Sequence, residues 1–106
     1  MRVYDIIIKK RNGQSLTKQE IDFVISEYIS GSIPDYQMSA LLMCIYFNGM
    51  DKKELTYFTE SMKNSGKVLD LSSIDKPKVD KHSTGGVGDG VSLSLAPLVA
   101  CFDVVV

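Results

Sequence analysis

Asn64-Ser65-Gly66 divides this chain into two kinds of sequence. Before it, apolar residues recur at the three-to-four-residue interval of helices; after it come short apolar runs separated by polar turns and glycines. The chain is therefore expected to hold a helical lobe over residues 1–66 and a differently organised part over 67–106. Ser65-Gly66-Lys67 is the boundary and a candidate hinge. With 106 residues, 44% of them apolar, there is enough material for a core.

Val3, Ile6 and Ile7 predict a first helix whose last turn, Lys9-Lys10-Arg11, suits the negative end of the helix dipole, with Asn12-Gly13 as the stop. Thr17 followed by Glu20 is a capping box, and Ile21, Val24, Ile25, Tyr28 and Ile29 repeat behind it up to Gly31. A third helix opens at Pro34-Asp35, with proline in the first turn, and closes at Asn48-Gly49. Met38 and the run Ala40 to Phe47 make it apolar nearly all round, so it has to be covered on more than one side. A share in the bundle centre and a share in a subunit interface both follow. Asp51 and Glu54 form a second capping box, and Leu55, Phe58 and Met62 give the fourth helix a narrower stripe.

Beyond the boundary, Val68-Leu69-Asp70-Leu71 reads as extended, a polar turn spans Ser72 to Pro77, and Val79 leads into Lys81-His82-Ser83-Thr84-Gly85-Gly86-Val87-Gly88-Asp89-Gly90. The segment Val91 to Phe102 fits two patterns. Val91 to Leu95 alternates like a strand, yet Val91, Leu95, Leu98, Val99 and Phe102 share a helical face, with Pro97 inside it. Helix is the better choice, because strand, glycine loop and helix in that order aim backbone N–H groups and the positive end of a dipole at one point. Phe102 to Val106 then reads as the start of another strand. The expected class is α/β overall: an all-α helical lobe followed by the first strand, glycine loop and helix of a truncated α/β domain, incomplete at 67–106.

The glycine-rich run is an anion site by composition. Glycines let successive N–H groups turn inward, Lys81 brings a full charge, and His82, Ser83, Thr84, Ser92 and Ser94 bring further polar groups within fourteen positions. Neither common phosphate-loop spacing is present, since Gly85, Gly86 and Gly88 do not fit G-x-G-x-x-G and no G-K-[ST] follows. Asp89 is placed to cap the following helix or to orient a neighbour rather than to touch an anion. A formal charge of -1 gives no reason to expect nucleic acid or an anionic membrane surface as a partner. Ala40 to Phe47 is too short to span a bilayer, and no signal peptide is visible, so the chain reads as cytoplasmic. Cys44 and Cys101 lack metal or redox spacing and are expected to be buried, reduced thiols.

The run Val79 to Asp89, with Ser92, Leu95 and Pro97, resembles the phosphate-binding segment of the pyrimidine-nucleoside and thymidine phosphorylases. Asp5-Ile6-Ile7, Lys9-Lys10-Arg11, Gly13, Leu16-Thr17, Glu20-Ile21, Ile33 to Ala40 and Ser65-Gly66 resemble the rest of that family's N-terminal part. The resemblance implies a helical lobe that makes a homodimer, an α/β lobe that holds phosphate, and a pyrimidine nucleoside in the cleft between them. It implies reversible phosphorolysis to the free base and a pentose 1-phosphate, with phosphate as co-substrate and no organic cofactor. Lys81, Ser83 and Ser92 match phosphate-contacting positions. His82 is counted in the same phosphate-binding run and, lying near the base, as the catalytic residue. Gly88 and Gly90 match positions that bind a potassium ion through backbone oxygens, although Gly90 and Val91 replace the hydroxyl residues common there. The family's second phosphate segment and its base-recognising Arg and Lys have no counterpart in this sequence, so the 106-residue chain alone is expected to be inactive. A related phosphoribosyltransferase and a non-catalytic helical dimerisation module stay open as alternatives.

Overall fold

The structure is a computed structural model of Met1–Val106 and describes residues 1–82, 85 and 88–106. It contains helices α1 (Val3–Arg11), α2 (Lys18–Ile29), α3 (Asp35–Asn48), α4 (Lys52–Asn64) and α5 (Gly90–Ala100). The chain divides into two compact units, Met1–Val68 and Leu69–Val106, the division lying just beyond the expected limit at residue 66. No described helix is long and apolar enough to cross a membrane.

The first unit is a four-helix bundle in which α1 packs on α3 and α2 on α4. Its helix ends follow local signals. Thr17 accepts from the Glu20 N–H while the Glu20 carboxylate returns to the Thr17 N–H at 2.7 Å, and Asp51 and Glu54 repeat the exchange at the start of α4. Each box satisfies two of the donors that a helix start leaves over. Gly31 ends α2 with φ at +82°, a left-handed backbone in which a side chain would be strained. Pro34 stands one position earlier than expected, as the N-cap of α3, with its ring outside the helix.

The core is Ile6, Leu16, Ile21, Val24, Ile25, Ile33, Met38 and Leu41, with Val3, Ile7, Phe23, Ile45, Tyr57 and Phe58 packed against it. One expectation changes here. The inward face of α4 is carried by Glu54, Tyr57 and Phe58, whereas Leu55 and Met62 are exposed. The register shifts because the buried Glu54 is the partner of the equally buried Lys10 of α1. In addition, only Met38 and Leu41 of α3 are fully buried, while Met43, Tyr46 and Phe47 face outward.

The second unit corrects the expectation of strands. Among the described residues there is no β-strand; Val68 to Leu71 and Phe102 to Val106 do not form one. A single parallel bridge links Lys78 and Val105, with the Val79 N–H donating to the Val105 carbonyl (2.8 Å) and the Val105 N–H to the Pro77 carbonyl (2.9 Å). Parallel pairing needs a crossover, and α5 supplies it. Two short extended segments joined by two hydrogen bonds bury too little to make a sheet, since parallel strands gain stability only from neighbours and from cover on both faces. The helix chosen for Val91 to Phe102 is present as α5, with Pro97 inside it. The carbonyl that loses a donor to Pro97 is that of Leu93, an exposed residue.

The cysteines also depart from expectation: Cys44 is half-buried and Cys101 exposed, its thiol donating to the Pro97 carbonyl at 3.3 Å.

Candidate anion site at the start of α5

Asp89 organises the site. It is the N-cap of α5, its side chain accepting from the Ser92 N–H, as its position before the apolar run led one to expect. The same carboxylate also accepts from Lys81 Nζ at 2.6 Å and from the Ser92 hydroxyl. Lys81 Nζ in turn donates to Ser92 Oγ at 2.8 Å. Lys81 and Ser92, a first-turn serine eleven residues further along the sequence, are thus brought together by one aspartate.

The electrostatics follow from these contacts. The Lys81 ammonium, then the Ser92 hydroxyl, hold the Asp89 carboxyl below its ordinary pKa, so Asp89 is an anion at neutral pH and can only accept. The Lys81 and Asp89 side chains are 39% and 28% exposed, so the pair is open to solvent and to a ligand.

Beside the cluster is a cavity of about 450 Å³, open to solvent and walled by Val79, Leu95, Val99 and Val106. Lys81 and Ser92 lie on its lining. It is an apolar hollow with one charged corner, the usual form of a small-molecule site. A larger groove, about 540 Å³, runs between α2 and the end of α4 over Ile25 and Ile29, and its rim carries the exposed ion pair of Lys18 with Asp22.

The remaining expected site residues are placed as follows. His82 is exposed and follows Lys81 directly. Ser83 lies outside the described residues. Gly88 adopts a left-handed backbone, φ +78°, with nothing crowding the position of a Cβ, and Gly90 opens α5 in equally open space. Among the described residues no three His, Cys, Asp or Glu side chains cluster as metal ligands. Uncharged backbone carbonyls at Gly88 and Gly90 are the oxygen type that suits a potassium ion, and they would fill part of its shell.

The sequence offers Asp89 as a cap or as the orienter of a neighbour, and the structure gives it both roles, capping α5 and holding Lys81. A lysine ahead of the glycine-rich run and the aspartate at the N-cap behind it are the two charges that meet.

Comparison with known proteins places the chain. The glycosyl transferase family, helical bundle domain, matches residues 4–66. The pyrimidine-nucleoside phosphorylase of Bacillus subtilis (strain 168) is 59% identical over 104 residues, covering 98% of this chain and 24% of that protein. Those of Geobacillus stearothermophilus and Staphylococcus aureus (strain USA300) are each 58% identical, over 94% and 98% of this chain and 23% and 24% of theirs. The chain spans about a quarter of the length of these relatives.

Proposed function

Because this chain belongs to the glycosyl transferase family through its helical bundle domain, we propose that it serves a pyrimidine-nucleoside phosphorylase, supplying the helical lobe and one part of the phosphate site. The meeting of Lys81 Nζ and Ser92 Oγ at the start of α5 carries the reading. An ammonium and a helix N-terminus converge there beside a cavity.

The reaction needs no protein nucleophile. A phosphate oxygen attacks C1′ of the pentose, the C1′–N bond breaks, its electron pair leaves with the pyrimidine, and the base takes a proton to become free base. The protein's task is to fix the anion below C1′ and to stabilise the charge that grows on the departing ring oxygens. Lys81 and Ser92, with Ser83, take the first role, and His82 takes the second as a donor toward the leaving base. A potassium ion at the Gly88 and Gly90 carbonyls belongs to the same reading; bound there, it would neutralise charge and steady the loop.

The exposed apolar strip on α3, Met43, Tyr46 and Phe47, supports a homodimer through the helical lobe. Tyr46 and Phe47 already stack edge to face, with ring centroids 5.4 Å apart.

The direct test is phosphorolysis of uridine and thymidine by the intact protein that carries this chain. Activity that depends on phosphate and falls by roughly a hundredfold or more in Lys81→Met supports the reading. Full activity in that variant overturns the role of Lys81. The 106-residue chain by itself is expected to be inactive.

A further inference from the structure

We infer that Asp89 is a positioning residue that makes the Lys81 and Ser92 site select an oxyanion still carrying a proton. The inference rests on the phosphate reading above and adds to it the form of the anion that is recognised.

The argument is a count of donors. A serine hydroxyl has one proton and two lone pairs. Asp89, held as an anion by Lys81, can only accept, and the Lys81 ammonium can only donate. Ser92 Oγ, in hydrogen-bond contact with both, must therefore give its proton to Asp89 and receive one from Lys81 at 2.8 Å. Among the described residues, one lone pair is left. What Ser92 presents to a ligand is an acceptor and not a donor.

A bare anionic oxygen at that point would set lone pair against lone pair. A P–OH group would donate into it. The Asp89 carboxylate adds a second bias, because a fixed negative charge beside the site penalises every additional charge on the ligand. Lys81 has three donors; among the described residues Asp89 and Ser92 engage two of them, and the third is left for an unprotonated ligand oxygen. At neutral pH inorganic phosphate and arsenate keep at least one proton, whereas sulfate, of the same tetrahedral shape, keeps none. The site is thus built to separate phosphate from sulfate by protonation, which size and geometry cannot do.

The test is calorimetric binding of inorganic phosphate, arsenate and sulfate to the intact protein carrying this chain, at neutral pH and fixed ionic strength. Phosphate and arsenate are expected to bind alike, with sulfate roughly ten- to a hundredfold weaker. Asp89→Asn retains a capping oxygen, so α5 keeps its start, but its amide can donate to Ser92 and turn the hydroxyl proton outward. In that variant the phosphate-to-sulfate ratio is expected to shrink to within about threefold, with an unchanged circular dichroism spectrum. Ser92→Ala, which removes the acceptor outright, should narrow the ratio in the same direction. Equal binding of phosphate and sulfate by the unmodified protein, or an unaltered ratio in Asp89→Asn, overturns this inference and leaves the phosphate site standing. Absence of phosphate binding overturns both.

Discussion

Lys10 Nζ sits 2.7 Å from Glu54 Oε1 across 44 positions of sequence, with the two side chains only 3% and 2% exposed. The contact joins the end of α1 to the start of α4, and Glu54 does more than pair. Its carboxylate also accepts the Leu16 N–H at 2.8 Å and the Asp51 N–H at 3.0 Å, so one side chain caps α4, fixes the loop before α2 and neutralises a buried lysine. Asn48 at the end of α3 donates to the Lys10 carbonyl at 3.2 Å, bringing a third helix into the same junction. A buried pair so fully hydrogen-bonded offsets its desolvation, whereas either partner left alone would not.

Replacing one partner should therefore cost more than replacing both. Lys10→Met leaves a buried carboxylate without its counter-charge and is expected to lower stability by about 3–5 kcal/mol. The double variant Lys10→Met, Glu54→Leu is expected to lose clearly less than the sum of the singles. Urea denaturation of the four members of the cycle reads the coupling directly. Additive losses would show that the pair contributes nothing as a pair.

The same carboxylate sets an acid limit. Burial works to raise the Glu54 pKa, but the Lys10 ammonium and the Leu16 and Asp51 N–H groups outweigh it and bring it below the ordinary 4.5. Glu20, held by Lys9 and Thr17 against its own burial, is lowered in the same way. A depressed folded-state pKa means stability that is present in full above the unfolded value and lost as pH falls through the folded one. Stability should stay level from neutral pH to about that of an ordinary glutamate and then decline. Glu54→Gln should start lower and converge on the parent curve in acid, as measured by urea midpoints at a series of pH values.

The α2 capping box can be tested apart from this network. Thr17→Ala removes the acceptor for the Glu20 N–H and is expected to cost about 1 kcal/mol. Thr17→Ser should restore most of it. Thermal unfolding followed at 222 nm is sufficient, because the hydroxyl touches little besides Glu20.

The outward strip of α3 makes a prediction about assembly. If Met43, Tyr46 and Phe47 form the contact between two copies, the double variant Tyr46→Glu, Phe47→Ser should shift the protein from dimer to monomer at micromolar concentration, at no cost to the bundle core, which those side chains do not enter. Sedimentation velocity decides it. A monomeric parent protein, or a variant that dimerises as before, would remove the assignment.

The helical lobe was legible to the extent that its signals were local. Capping boxes at Thr17 and Asp51, and glycines at 13, 31 and 49 with positive φ, place helix ends by interactions within a few residues, and the sequence displays those directly. Lys10 was half legible: it lies seven residues after Val3 and four after Ile6, on the apolar face of α1, where a lysine needs a partner. Which carboxylate would answer it was not, because nothing near Lys10 in sequence points to Glu54. The extended runs around Val79 and Val105 carry strand patterns, yet one bridge is all they make with each other, since a parallel pair depends on partners that pattern alone does not reveal.

The sequence by itself determined the first four helices, their ends, and the gathering of lysine, histidine, serine and glycine at residues 81–92, because propensity, capping and loop chemistry act over a turn or two of chain. Tertiary structure decided between helix and strand after Gly90, chose the face of α4 that turns inward, paired Lys10 with Glu54, and set Asp89 between Lys81 and Ser92. Those outcomes depend on groups brought together from distant positions, where burial makes a partner for each charge obligatory and packing selects which partner it will be.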